Sequence, residues 1–236
     1  MIESSIDQNE LGKFNKTEEQ WWDLNGEFKS LHEIHPVRME YVFSVINQHF
    51  KSTKNLQVID IGSGGGLVAE SMAKAGYSVT GLDANSHNIK AAIAHAKQSK
   101  LKIDYKNITV EEYVQSRKKY DIVLCLEVIE HVANPEIFVR NVSKLLENGG
   151  VLIFSTINRT QKAYLLAILM AEYILRWVPQ KTHDYSKFIK PSEFACMLEG
   201  SGLKLEELKG LSYSPIGGEW RLSDDIDVNY FAVMKF

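Results

Sequence analysis

The sequence predicts an α/β fold with a seven-stranded, mostly parallel sheet and helices on both faces. From residue 56 onward, short β-branched runs alternate with longer helical stretches, which is the pattern of a parallel sheet covered on both sides. The chain has 236 residues, of which 44% are apolar and 24% charged, so it is long enough to bury a sizeable core. We therefore expect a single domain spanning residues 1–236.

Short apolar runs mark the five strands of the central sheet. In chain order they cover residues 56–61, 77–83, 103–106, 120–127 and 151–156.

The helices between these strands are predicted from their end signals. The first covers Leu67 to Ala75 and ends at Gly76, which suits a C-terminal cap. Ser86 is the expected N-cap of the next, an Ala-rich helix. Pro135 begins the helix that precedes the turn at 147–150.

The flanking segments break the strand and helix alternation. Residues 1–50 are expected to form a helical lid, with its helices within 17–50, over the central part at 56–156. Residues 157–191 look like an apolar helical insertion. The closing part, 192–236, should contain a helix and two strands, at 204–209 and 228–234.

Composition excludes several function classes. The net charge of -3 and pI of about 6.2 provide no basic field for nucleic acid. The two cysteines and the lack of a secretory pattern at the start predict a reducing, cytoplasmic setting. No apolar stretch reaches the roughly 18 residues that a membrane-spanning helix needs, although residues 163–178 have the length to lie on a membrane surface.

A glycine-rich turn joins the first strand to the first helix at residues 62–66. Glycines let the backbone turn tightly and approach a ligand closely. Leu67 stands where the dinucleotide fingerprint requires its third glycine, so NAD is disfavoured. Asp83 ends the second strand, a position from which a carboxylate accepts ribose hydroxyls. Together these features favour an adenosine-containing cofactor without a pyrophosphate.

A second group of chemical residues follows the fourth strand. Glu127, Glu130 and His131 lie at its carboxyl end, where ligands bind in such sheets. His131 is a candidate general base, or all three side chains hold a divalent cation such as magnesium that acidifies a hydroxyl. The alternative is a structural one, in which Glu130 and His131 only cap the next helix.

The segments VIDIGSGGG at 58–66 and GLDAN at 81–85 resemble the signature of class I, Rossmann-like methyltransferases. The resemblance implies S-adenosylmethionine as cofactor. By that resemblance Gly62 and Gly64 lie against its methionine part, Asp83 holds the ribose and Leu126 flanks the methyl group. The adenine would lie near Asn107 and Ile108.

Longer stretches are similar to the ubiquinone-biosynthesis O-methyltransferase family. The similarity implies that Arg38 contacts the cofactor carboxylate and that Glu127, Glu130 and His131 bind magnesium. It also implies methylation of a polyprenylated catechol or demethylubiquinol. The segments that carry the similarity are residues 21–41, 65–73, 154–160, 171–191 and 227–230.

The apolar segment at 163–178 is the expected meeting point with an anionic membrane surface and a polyprenyl tail. Cationic residues flank it, which favours peripheral association with the inner membrane. A quinone-synthesis complex is a further candidate partner. Two other functions stay open at this stage: methylation of a small soluble phenol, and a non-catalytic cofactor-binding subunit of such a complex.

Overall fold

The computed structural model describes residues 4–166, 168, 184–214 and 217–236, apart from the side chains at 8, 9 and 13. Within these ranges eight strands form one sheet in the order β3-β2-β1-β4-β5-β8-β6-β7. The first five strands are parallel, while β8 pairs antiparallel with β5 and β6. The strands are β1 Gln57–Ile61, β2 Ser78–Asp83, β3 Asp104–Asn107, β4 Tyr120–Leu126, β5 Leu146–Ile157, β6 Lys204–Ser214, β7 Glu219–Ser223 and β8 Asn229–Lys235.

Nine α-helices are found in the described part of the chain, and four of them lie on the crossovers between parallel strands. They are α1 Gln8–Lys13, α2 Glu18–Trp22, α3 Lys29–His49, α4 Leu67–Lys74, α5 Ser86–Gln98, α6 Val110–Tyr113, α7 Pro135–Ser143, α8 Gln161–Ala163 and α9 Pro191–Met197.

The α/β class with a mostly parallel sheet is confirmed, but the prediction of seven strands is wrong by one. The additional strand, β7, forms an antiparallel hairpin with β6, which continues to Ser214 and past the predicted end at 209. Tyr213 pairs with Trp220 across this hairpin, with ring centroids 5.3 Å apart. Cross-strand aromatic pairs of this kind stabilise a ladder, but a five-residue edge strand carries little signal in sequence.

Two further local predictions need correction. The N-cap of α5 is Asn85 and not Ser86, because the Asn85 side chain accepts the backbone N–H of His87 at 2.9 Å. The predicted turn at 147–150 lies inside β5, where the pairing with β4 shifts register between Tyr120 and Ile122. Residues 147–149 of this irregular stretch are exposed.

The helical stretch expected at 17–50 is divided in two. A turn separates α2 from α3, and in it the Asp23 carboxylate accepts the backbone N–H of Asn25 at 2.9 Å. Thr17 caps α2 in a capping box with Gln20. Trp21 and Trp22 of α2 contact α5 through Asn88 and His95, while α3 packs along the sheet.

The core lies on both faces of the sheet. On one face α7 and α9 bury Phe138, Phe154 and Phe194. On the other face α3 and α4 bury residues such as Ile46 and Met72. Strand order reverses between β1 and β4, so their carboxyl ends leave a crevice of the kind in which open α/β sheets bind ligands.

The apolar segment predicted at 163–178 falls mostly outside the described residues, which include only 163–166 and 168 of it. Tyr164, Leu165 and Leu166 are exposed there, whereas Ile168 is buried near Ile157. Across the described ranges, no helix is long and apolar enough to span a bilayer. The division of the chain into lid, central part, insertion and closing part stays a prediction.

Candidate active site

A cavity of about 630 Å³ opens at the carboxyl ends of β1, β2 and β4. Its volume lies in the range of small-molecule sites, roughly 300–1,000 Å³. Eight of the residues predicted for the site line this one cavity: Arg38, Gly62, Gly64, Asp83, Leu126, Glu127, Glu130 and His131. The glycine turn, the acid after β2 and the cluster after β4 are thus brought together.

The glycine turn follows β1 with left-handed backbone conformations. Gly62 has φ of +72° and Gly64 has φ of +53°, which other residues adopt only with strain. A Cβ on Gly62 would lie 2.4 Å from the Val128 side chain. The backbone N–H groups of Gly62 and Ser63 both donate to Leu82 O, at 2.8 and 2.9 Å. The turn is therefore fixed against the end of β2.

Asp83 is buried beside this turn. Its Oδ2 accepts the backbone N–H of Gly64 at 2.9 Å, and its Oδ1 accepts that of Asn85 at 2.7 Å. Asn88 donates to Oδ2 at 3.2 Å. Burial raises the pKa of Asp83, while these three donors act in the opposite direction. The carboxylate is thus held rigidly at the cavity wall, where it is able to accept hydroxyl groups.

Two tryptophans of α2 cover the outer side of the glycine turn. Trp21 packs directly against Gly64 and Gly65, and its Nε1 donates to Asn88 at 3.1 Å. Trp22 Nε1 donates to the Gly65 carbonyl at 3.1 Å. The two rings anchor α2 on the turn, and Trp21 also lines the cavity.

Arg38 projects from α3 into the base of the cavity, and its side chain is only 6% exposed. Its guanidinium lies 3.7 Å from Glu127 Oε1, and its buried Nε has no hydrogen-bond partner in the described part of the chain. An unsatisfied buried donor is costly. Arg38 is therefore equipped to accept an anionic group, as the family resemblance implies.

Asp60 was not assigned a role from the sequence, yet it lines the cavity beneath the glycine turn. It is 3% exposed, and its Oδ2 is buried without a hydrogen-bond partner among the described residues. Burial raises the pKa of Asp60 to about 7, and the nearby charge of Asp83 acts in the same direction. The sequence feature that could have identified Asp60 as a site residue is its position just before the glycine turn at 62–66.

Glu127 and Glu130 form a pair of neighbouring carboxyl groups after β4. Glu127 has φ of +58°, and its Oε1 accepts Ser155 Oγ at 2.6 Å. Glu130 accepts Thr156 Oγ1 at 3.0 Å. Burial, followed by the charge of Glu127, raises the pKa of Glu130 well above its ordinary range. Of the two, Glu127 lies beside Arg38, whose guanidinium is 3.7 Å from Glu127 Oε1.

His131 lines the cavity with its side chain 18% exposed. Its Nδ1 lies 3.1 Å from Oε2 of Glu10, a residue of α1. The imidazole packs against the Phe14 ring in a T-shaped arrangement, with ring centroids 5.1 Å apart. Sequence analysis missed Glu10, because no local pattern signals a contact that spans 121 residues.

The arrangement does not fit the predicted three-ligand cation site. Within the described ranges, no group of three His, Cys, Asp or Glu side chains is placed to hold a metal ion. The expected ligands have other partners in the described structure: His131 Nδ1 lies 3.1 Å from Glu10 Oε2, and Glu130 accepts Thr156 Oγ1.

The cavity as a whole is acidic. Arg38 and Lys16 are the arginine and lysine residues that line it, so its field attracts a positively charged group such as a sulfonium. Ile108, one of the two residues expected near the adenine, lines the cavity, whereas Asn107 donates from its side chain to Asp83 O at 3.0 Å. The acidic lining residues are Asp7, Glu10, Glu27, Asp60, Asp83, Glu111, Glu127 and Glu130.

The fold and this cavity define an α/β methyltransferase, and residues 31–208 match the methyltransferase domain family. A structure of magnesium protoporphyrin IX methyltransferase from Synechocystis with bound SAH superimposes with a TM-score of 0.61 at 18% identity, covering 88% of this chain and 84% of the other. The plantazolicin methyltransferase BpumL in complex with SAH gives a TM-score of 0.62 at 18% identity, over 96% of both chains.

Relatives found by sequence comparison have a higher identity to this chain than these structures do. The ubiquinone biosynthesis O-methyltransferase of Rickettsia felis is 50% identical over 97% of this chain and 93% of its own length. That of Rickettsia akari is 51% identical over 97% of this chain and 91% of its own length. The chain belongs to the ubiquinone biosynthesis O-methyltransferase family.

Proposed function

We propose that the protein transfers a methyl group from S-adenosylmethionine to a phenolic hydroxyl of a polyprenylated catechol or demethylubiquinol, in ubiquinone biosynthesis. The observation that carries this proposal is the convergence of the glycine turn, Asp83 and the 127–131 segment on one cavity. Family membership supports the same reaction.

The cavity residues fit an adenosyl cofactor. Asp83 would accept the ribose hydroxyls, and Gly62 and Gly64 would leave room for the methionine part. Arg38, with its unpartnered Nε, would bind the carboxylate, and Leu126 would flank the methyl group. When bound, S-adenosylmethionine supplies a methyl group activated by the positive charge on sulfur.

His131 is the proposed general base. A phenol has a pKa near 10 and is a weak nucleophile while protonated, so its proton must be removed as the oxygen attacks. His131 reaches the cavity from the segment after β4, and its Nδ1 is held by Glu10. We therefore assign proton acceptance to Nε2. Because the described side chains do not form a three-ligand cation site, no step of this mechanism passes through a metal ion.

The test is a methyl-transfer assay with purified protein, S-adenosylmethionine and a short-chain prenylated catechol, followed by mass spectrometry of the product. We expect a singly methylated ether from the wild type and a loss of turnover of roughly 10²- to 10⁴-fold in His131→Ala. Calorimetry with S-adenosylhomocysteine should show that the variant still binds the cofactor product. Unchanged turnover would remove His131 from the mechanism. Methylation of unprenylated catechols alone would show that the substrate is not a prenylated one.

We also propose that the protein docks on anionic membranes through the apolar surface that begins at residue 164. Tyr164, Leu165 and Leu166 are consecutive and each more than 40% exposed, which is unusual for large apolar side chains. Flotation with vesicles rich in anionic lipid should recover the wild type, and much less of a Leu165→Ser/Leu166→Ser variant. Ile93→Ser, at an apolar position on α5 that is 50% exposed, is the matched control. Equal recovery of all three proteins would contradict membrane docking here.

A further inference from the structure

We propose that Glu10 is a positioning residue for methyl transfer, which fixes the tautomer and orientation of the His131 imidazole. This inference rests on the proposed role of His131 as the base. Glu10 lies on α1, far from the methyltransferase motifs in sequence, and it is 6% exposed. Its two carboxylate oxygens have different partners. Oε2 faces His131 Nδ1 at 3.1 Å, and Oε1 accepts Lys187 Nζ at 2.9 Å.

Lys187 holds this carboxylate in place. The same ammonium group also donates to Asp7 Oδ2 at 2.8 Å, so it joins two acids of the N-terminal segment to the loop before α9. An opposite charge at hydrogen-bond distance favours an ionised carboxyl group. An ionised Glu10 is only an acceptor, and His131 Nδ1 must then carry the proton of their hydrogen bond.

The position of Glu10 is also fixed by hydrogen bonds that join the N-terminal segment to loops and helices around the cavity. The Ser5 carbonyl accepts the backbone N–H of Ala133 at 2.7 Å, and the Ser5 side chain donates to Glu111. Asn85 Nδ2 donates to the Leu11 carbonyl at 2.9 Å. These bonds hold α1 across the cavity, so Glu10 is presented by a fixed element.

A fixed Nδ1–H tautomer has a chemical consequence. Free neutral imidazole of histidine prefers the proton on Nε2, which would leave the wrong nitrogen as acceptor for a substrate in the cavity. With Nδ1–H donated to Glu10, the lone pair is on Nε2. The charged carboxylate also stabilises the imidazolium that forms when His131 takes the phenolic proton. Glu10 therefore acts through His131 and does not itself contact the reacting atoms.

The first test is spectroscopic and needs no turnover. Long-range ¹H–¹⁵N correlation of histidine-labelled protein should show His131 with its proton on Nδ1 in the wild type and mainly on Nε2 in Glu10→Ala. Glu33→Gln removes an equal charge from an exposed site on α3 and is the control. It should retain the wild-type tautomer. An Nε2–H tautomer in the wild type would overturn the proposal.

The second test is a double-mutant cycle on methyl transfer, with Glu10→Gln, His131→Ala and the combined variant. We expect Glu10→Gln to lower kcat by about 10- to 100-fold, the scale of a misplaced catalytic group, with little change in KM for S-adenosylmethionine. In the His131→Ala background the same change should add no further loss. An equal loss of kcat in both backgrounds, or a rise in KM alone, would show that Glu10 does not act on methyl transfer through His131.

The two proposals fail in distinguishable ways. If His131→Ala retains turnover, the base assignment is wrong whatever Glu10 does, while the tautomer measurement still reports on the Glu10 contact. If His131→Ala loses turnover and Glu10→Gln does not, only the positioning role is refuted. Circular dichroism and thermal unfolding of each variant separate both results from misfolding.

Discussion

Asp60 should make the folded protein less stable as the pH rises toward neutrality. Its carboxyl group is buried at the base of the cavity, with Oδ2 unpartnered among the described residues. Burial raises its pKa from an ordinary 3.8 to about 7. Between these values the folded state holds a proton that the unfolded chain has already released. The free energy of unfolding therefore falls as pH increases through this window, and the contribution of the protonated carboxyl is fully present only below about pH 4.

The magnitude follows from linkage. At 1.36 kcal/mol for each pKa unit, a rise from 3.8 to about 7 corresponds to roughly 4 kcal/mol lost between pH 4 and pH 7. Asp60→Asn keeps the shape but cannot ionise. The difference in unfolding free energy, variant minus wild type, should therefore increase by up to about 4 kcal/mol over this range.

Guanidinium denaturation at constant ionic strength, repeated across this pH range, measures that difference. Taking the difference between two proteins cancels the titrations that they share. Asp104→Asn, at an exposed aspartate of β3, controls for the loss of one negative charge and should lack the large increase, since its carboxyl keeps contact with water. A difference curve for Asp60→Asn that stays flat would refute the argument that burial governs this group.

Two other predictions concern binding and stability. Asp83→Asn should weaken S-adenosylhomocysteine binding by about 10- to 100-fold in calorimetry, since charge-assisted hydrogen bonds contribute about 1.5–3 kcal/mol; unchanged affinity would remove Asp83 from the ribose site. Gly210→Ala should lower the free energy of unfolding by at least about 1–3 kcal/mol, because its Cβ would lie 1.9 Å from the Asp225 carbonyl oxygen, and a thermal melt equal to wild type would contradict this packing.

The parallel part of the fold was predictable because its signals are local. Each of β1, β2 and β4 is a short buried run that ends at a turn or a helix start, so their carboxyl ends had to share one edge of the sheet. The residues at those ends could therefore be assigned to one site from the sequence alone, and Gly62, Asp83 and His131 line the same cavity.

The parts of the fold and site that the sequence did not predict depend on contacts between distant segments. β7 exists because Tyr213 and Trp220 pair across a hairpin, and its five residues alone do not signal a strand. Glu10, which lies beside His131 in the cavity, is separated from it by 121 residues of the chain. Composition and periodicity contain no information about that pairing.

A crystal structure of the protein with bound S-adenosylhomocysteine is the sharpest test of the proposed site. We expect the ribose hydroxyls to bind Asp83, the amino-acid part to lie along the turn at 62–66 near Arg38, and the sulfur to face residues 126–131. A ligand bound elsewhere, or one whose sulfur points away from His131, would contradict the convergence of these segments on one cofactor.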